Sequence, residues 1–249
     1  MRIGELARLA GVTAKAIRDL NARIEALPAR RDLLAHHLRQ AAYRGGRSGE
    51  PFGERTIMSD LTKLPADLPV PDDDGAADHL LGLVVPSLRL PSTSGDTIDL
   101  ATLGRPGRSV LYGYPLTGRP DTDLPEGWDT IPGARGCTPE ACAFRDHHDE
   151  LTAAGVSGVF GLSSQDTAYQ RELVDRLHLP FAMLSDTGFR LAEALDLPTF
   201  HAGRVRLYKR LTLVIRHGRI EHAFYPVFPP DRHAEQVLGW LHDNPVEGP

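Results

Sequence analysis

Apolar positions recur at helical spacing over residues 3–43. Ile3, Leu6, Ala7 and Ala10 share one face of a helix before Gly11 breaks the run. Thr13 is placed to cap a second helix from Ala14 through Ile17, Leu20 and Ile24. Beyond Pro28, the residues Leu33, Leu34, Leu38 and Ala41 form a third apolar stripe. From Gly45 to Gly75 the periodicity is gone. Arg44-Gly45-Gly46-Arg47-Ser48-Gly49, several prolines and Asp72-Asp73-Asp74 predict a linker instead. The pattern divides the chain into a helical extension over 1–45, an acidic flexible linker over 46–78 and a body over 79–249.

In the body, strand and helix patterns alternate. Val110-Leu111-Tyr112-Gly113-Tyr114 is a short apolar strand that ends at Pro115. A helix is predicted over 139–154, a buried strand over 156–162, a helix over 166–177, a strand over 182–184 and a helix over 187–195. The runs 211–215 and 220–224 flank Arg216-His217-Gly218-Arg219, a hairpin signature. An amphipathic helix over 232–241 closes the body. A β-α-β-α core followed by a hairpin and a last helix is a mixed α/β layout of thioredoxin type, a central mixed sheet flanked by helices. About 170 residues suffice for an independent core.

Composition adds little until charge is read by segment. The 249 residues are 41% hydrophobic and 24% charged, close to an ordinary globular domain. No apolar run approaches the ~18 residues that span a bilayer, and no signal-peptide core follows Met1, so the expected location is the cytoplasm, away from membranes. The net charge of −5 conceals a head of +6 over residues 1–47 and a segment of −6 over 48–78. A basic head fits either nucleic acid or a solvated helical face. The eleven histidines form no ligand pattern; His147-His148 reads as solvated, and no metal or cofactor is expected.

The chemistry concentrates at two cysteines, Cys137 and Cys142. Two thiols make neither a disulfide framework nor a four-thiolate zinc site. Cys137 stands between the Gly-rich Pro132-Gly133-Ala134-Arg135-Gly136 and a helix opened by Thr138-Pro139-Glu140. Proline favours the first helical turn, so the sulfur would face free N–H groups and the positive end of the helix dipole. Both favour the thiolate, the nucleophilic form, and Arg135 is a candidate for further electrostatic support. Five residues along a helix separate side chains by about 7.5 Å and roughly 140°. A disulfide needs Cα atoms within about 7 Å, so the pair can bridge only if the helix opens.

Gly136-Cys137-Thr138-Pro139-Glu140-Ala141-Cys142-Ala143-Phe144-Arg145-Asp146 resembles the active-site segment of the peroxiredoxins, most closely the bacterioferritin comigratory protein, or Q, type. The likeness extends through 155–163, 179–186 and 210–215, and covers about 79–242. It implies a thioredoxin-like fold and a thiol peroxidase acting on hydrogen peroxide or organic hydroperoxides. On that resemblance Cys137 is the peroxidatic cysteine, Cys142 the resolving one, and Arg210 the cation that stabilises thiolate and peroxide. A thioredoxin-like or other thiol reductant would recycle the disulfide, as in atypical two-cysteine enzymes.

One departure concerns a hydroxyl. Related chains carry Pro-x3-Thr-x2-Cys, whereas here 22 positions separate Pro115 from Cys137 and Ala134 stands where the threonine would be. Fifteen residues are inserted. Thr117, Thr130 and Thr138 are the candidate hydroxyl donors, and the insertion Leu116–Pro132, with Trp128, is a candidate lid.

The head has its own likeness. Ile3-Gly4-Glu5-Leu6-Ala7-Arg8-Leu9-Ala10-Gly11-Val12-Thr13 with Ala16-Ile17-Arg18 resembles the first helices of MerR-type winged helix-turn-helix regulators. That resemblance implies DNA contacts from Lys15 and Arg18, in the manner of a recognition helix. It stops after Arg18, without the Tyr-Tyr-Glu continuation or a basic wing, and so also fits a dimerising extension. A peroxide-sensing DNA-binding regulator, a redoxin-fold protein of reduced activity, and a homodimer through the N-terminal helices are the alternatives these residues raise.

Overall fold

The computed structural model describes residues 64–246 except 66 and 121. The helices predicted over 3–43, most of the predicted linker, and Lys15 and Arg18 lie outside the described residues.

The body contains nine strands and five α-helices among the described residues. A hairpin, β1 (Arg89–Pro91) and β2 (Thr97–Asp99), precedes the central strand β3 (Arg108–Gly113). The helices α1 (Cys137–Asp146) and α2 (His148–Ala153) follow the insertion. Then come β4 (Val156–Ser163), α3 (Thr167–Leu177), β5 (Ala182–Ser185) and α4 (Arg190–Leu195). A second hairpin, β6 (Thr199–Ala202) and β7 (Val205–Tyr208), leads to β8 (Leu211–Arg216), β9 (Arg219–Phe224) and α5 (His233–Asp243).

Five strands form one sheet in the order β5-β4-β3-β8-β9. β3 pairs in parallel with β4 and antiparallel with β8, so the sheet is mixed, as the sequence pattern predicts. All six residues of β3 are buried because both faces are covered. Alternate side chains serve opposite layers. Val110 and Tyr112 pack with Phe144, Leu173, Met183 and Val237, on the side of α1, α3 and α5. Leu111 packs with Leu80, Leu90, Leu100, Leu191 and Leu195, on the side of α4 and the first hairpin.

Several boundaries differ from the sequence expectation, each for a local reason. The helix expected over 139–154 starts at Cys137 and is broken at His147, whose backbone (φ −101°, ψ 12°) leaves the helical region. The break lets Leu151 reach full burial against Val156 and its neighbours. The helix expected from residue 187 starts at Arg190. The Asp186 carboxylate accepts the N–H groups of Arg190 and Leu191, both at 2.9 Å, and fixes the start there. β3 begins two residues early because Arg108, though buried, is held by Glu221 at 2.7 and 2.8 Å and by the Asn244 carbonyl at 2.6 Å. His147 and His148 are half-buried rather than solvated; the His148 ring stacks 6.1 Å from Phe181. Asp74, in the segment read as linker, is bonded to the body through Lys209 and, at 2.7 Å, the Tyr225 hydroxyl.

The predicted β8–β9 hairpin is present. His217 and Gly218 both take positive φ, 51° and 70°, the pairing a tight hairpin turn requires.

α5 opens on His233, a fully buried imidazole. Its Nε2 lies 2.7 Å from the Thr212 hydroxyl and its Nδ1 3.0 Å from the Gln236 amide oxygen. Burial pushes its pKa down to about 4, with the Arg210 charge contributing and Gln236 opposing. A depressed imidazole contributes stability that is complete above its ordinary value near 6.5 and is lost as pH falls through about 4. The expected outcome is that His233→Gln loses less stability than the unmutated protein between neutral pH and pH 4, by up to about 3 kcal/mol. Urea denaturation at a series of pH values measures it; parallel curves for the two proteins would contradict the assignment.

Candidate active site

The site is built where the loop after the insertion enters α1. Gly136 precedes the helix with φ 106°, and a Cβ there would overlap the Pro230 ring, so only glycine fits. The turn places Cys137 at the first helical position, as the sequence predicts. α1 is fixed on the sheet by Phe144, which stacks on Tyr112 with ring centroids 4.5 Å apart.

Arg210, at the entry to β8, reaches the sulfur. Its Nη2 lies 3.2 Å from Cys137 Sγ and 3.2–3.5 Å from the carbonyls of Gly133, Ala134 and Arg135. Its Nη1 donates to the Glu140 carboxylate. Both side chains of that pair are buried, Arg210 at 2% and Glu140 at 0% exposure. The thiol donates to the Ala134 carbonyl at 3.6 Å, and the Leu116 backbone N–H nearby pulls its pKa down. The predicted juxtaposition of Cys137 and Arg210 is therefore present.

The candidate hydroxyls are not at the sulfur. Thr117 Oγ1 is 3.0 Å from Gln165 Oε1, and Thr130 Oγ1 donates to the Gly127 carbonyl at 2.7 Å. Thr138 is buried beside Cys137 and lines the same cavity, with no hydrogen bond from its hydroxyl to the sulfur. The Leu116 backbone N–H, at the start of the insertion, favours the thiolate in their place by lowering its pKa. A backbone donor carries no side-chain signature, which is why the sequence does not disclose it. Arg135 is also turned elsewhere: its guanidinium pairs with Asp129 at 2.7 Å on the exposed side of the loop.

Glu140 is the participant that sequence reasoning missed. Three residues past Cys137 it sits one helical turn on, the spacing at which side chains meet. Burial raises its carboxyl to about 7 against the pull of Arg210. Burial likewise pushes the Cys137 thiol up, against the Arg210 charge and the Leu116 N–H, while Glu140 adds to the rise. The expected depression by the helix start is thus outweighed in this closed arrangement. One cation faces two acids, and a proton held by Glu140 favours the thiolate.

Cys142 is half-buried on the same uninterrupted helix, and both thiols are free. Its thiol is raised by burial, with Arg145 opposing. Among the described residues no cluster of side chains could hold a metal ion.

A cysteine at a helix start under a buried arginine, on a five-stranded mixed sheet, is the arrangement of a redoxin. The chain belongs to the Redoxin family, whose description matches residues 81–238. Its relatives are peroxiredoxins of the Q and bacterioferritin comigratory type. It is 28% identical over 194 residues to peroxiredoxin Q, chloroplastic, of Oryza sativa subsp. japonica, covering 75% of this chain and 80% of that one. It is 30% identical to peroxiredoxin Q, chloroplastic, of Populus jackii, covering 64% of this chain and 67% of that one. Among solved structures it is similar to peroxidoxin BcpB from Mycobacterium tuberculosis, with TM-score 0.54 and 25% identity over 67% of this chain and 98% of that one.

The geometry separates the two arginines. Arg210→Met is expected to raise the Cys137 pKa by about 1–3 pH units, because the opposite charge at the sulfur is lost. Arg135→Ala is expected to leave it unchanged, since Asp129 already holds that charge away from the thiol. Alkylation of Cys137 by iodoacetamide as a function of pH reads both; equal shifts in the two variants would contradict the assignment.

Proposed function

We propose that the protein is a thiol peroxidase of the atypical two-cysteine type, with Cys137 peroxidatic and Cys142 resolving. The observation that carries this reading is the Arg210 guanidinium 3.2 Å from a sulfur at a helix start. The Cys137 thiolate attacks the distal oxygen of a hydroperoxide. An S–O bond forms as the O–O bond breaks, and the departing oxygen takes up a proton, leaving sulfenic acid and an alcohol or water. Arg210 and the Leu116 N–H donate to the charge on sulfur and departing oxygen, in a site from which water is largely excluded.

The Cys142 thiol then displaces water from the sulfenic sulfur and forms a disulfide. A thioredoxin-like dithiol reduces it to two thiols and is itself oxidised. Helical spacing keeps the two side chains about 140° apart, so this step requires the first turns of α1 to unwind. The ten-residue length of α1 and its break at His147 support that opening, because little helix has to be undone.

Peroxide consumption with a thioredoxin donor tests the reading: it is expected from the unmutated protein and absent from Cys137→Ser. One equivalent of peroxide is expected to yield an intramolecular Cys137–Cys142 disulfide, with loss of amide protection over residues 138–148. Intermolecular disulfides alone, found by mass spectrometry, would contradict the resolving role of Cys142.

A further inference from the structure

The fifteen-residue insertion covers the reactive sulfur. Leu116, Leu124 and Trp128 from the insertion lie against Cys137, Thr138 and Pro139 of α1 and form with them a narrow cleft of about 20 Å³, partly open to solvent. The cover is pinned at both ends. Thr117 is tied to Gln165 by its N–H and hydroxyl, each 3.0 Å from Oε1, and by its carbonyl, which accepts from Nε2 at 3.2 Å. Trp128, 4% exposed, packs with Ala134, Ala202 and Leu207 and so joins the cover to the β6–β7 hairpin. Tyr169 adds a hydrogen bond from its hydroxyl to the Thr117 carbonyl at 2.9 Å.

A single water needs about 10–15 Å³ of such space. The cleft therefore leaves room directly at the sulfur for a molecule of about two heavy atoms. A much larger cavity, about 370 Å³, lies between Pro71, Ile131, Phe200 and Tyr225 on the other side of Arg210 and Gly133, which wall it, whereas Cys137 does not. An organic hydroperoxide has to pass its carbon substituent through the cleft mouth against Leu124 and Trp128, or the cover has to lift. Lifting it would break the Gln165 and Tyr169 bonds and unseat the buried indole.

We infer that the insertion, through Trp128 and Leu124, makes Cys137 selective for hydrogen peroxide over bulky organic hydroperoxides. This rests on the peroxidase reading of Cys137 and adds the substrate class that its pocket accepts. Selection is steric: the charge of Arg210 at the sulfur would serve any hydroperoxide equally, whereas the apolar cover crowds every substituent larger than hydrogen.

Single-turnover oxidation tests it without a reductant. In the full chain carrying Cys142→Ser, Cys137 sulfenic acid is trapped with dimedone, and its rate of formation is compared for hydrogen peroxide and cumene hydroperoxide. The expected ratio of rate constants is about 100 or more in favour of hydrogen peroxide, and Trp128→Ala is expected to lower it at least about tenfold. Leu124→Ala, a half-buried and smaller truncation, is expected to shift it the same way and serves if Trp128→Ala fails to fold. Equal rates for the two peroxides before any truncation, or an unchanged ratio in both folded variants, would overturn the inference while leaving the peroxidase intact. Oxidation of Cys137 by neither peroxide would overturn the peroxidase reading and the selectivity with it.

Discussion

A guanidinium removed from water must be surrounded by acceptors and by negative charge, or the fold bears an uncompensated buried ion. Arg210 meets that requirement at its two terminal nitrogens, with three consecutive carbonyls of the loop 133–135, the Glu140 carboxylate and the Cys137 sulfur, while its buried Nε is left without a partner. Each partner is thereby fixed in place. The carbonyls set the path of the loop, Gly136 turns it into α1, and the turn puts the thiol beside the cation. Phe144 on Tyr112 holds the other end of the same helix to the central strand. The reactive geometry thus follows from burying one charge.

Burying the site also imposes a cost on its chemistry. Taking the Cys137 thiol out of water disfavours the thiolate, and the neighbouring carboxyl disfavours it further. Arg210 and the Leu116 N–H oppose both effects. With Glu140 brought to about 7, the carboxyl carries a proton for part of the time near neutrality, and in that state the whole charge of Arg210 is directed to the sulfur. The cover that limits water at the sulfur makes each of these interactions stronger and crowds large molecules there.

Much of this was legible in the residues. Alternating strand and helix patterns define the mixed sheet, and Pro139 behind a Gly-rich loop places Cys137 at a helix start. Arg210, just before the apolar strand β8, falls where the family resemblance puts it. What the sequence hid was of three kinds. The Leu116 backbone N–H that pulls the thiol pKa down is invisible to any reading of side chains. Glu140 sat in plain view within the motif, yet only the burial of Arg210 gives it a role. The short β1–β2 and β6–β7 hairpins, three and four residues per strand, are set by tertiary packing rather than by pattern. Thr117 and Arg135 illustrate the converse: suitable groups close in sequence, already satisfied by Gln165 and Asp129.

Arg210 divides a single charge between Glu140 and Cys137. The most direct test is a double-mutant cycle read as the apparent pKa of the Cys137 thiol, followed by its thiolate absorbance. Glu140→Gln is predicted to lower that pKa when Arg210 is present, because the cation is released to the sulfur. In an Arg210→Met background Glu140 stays protonated, so Glu140→Gln is predicted to leave the pKa unchanged. The same shift in both backgrounds, or none in either, would contradict the account.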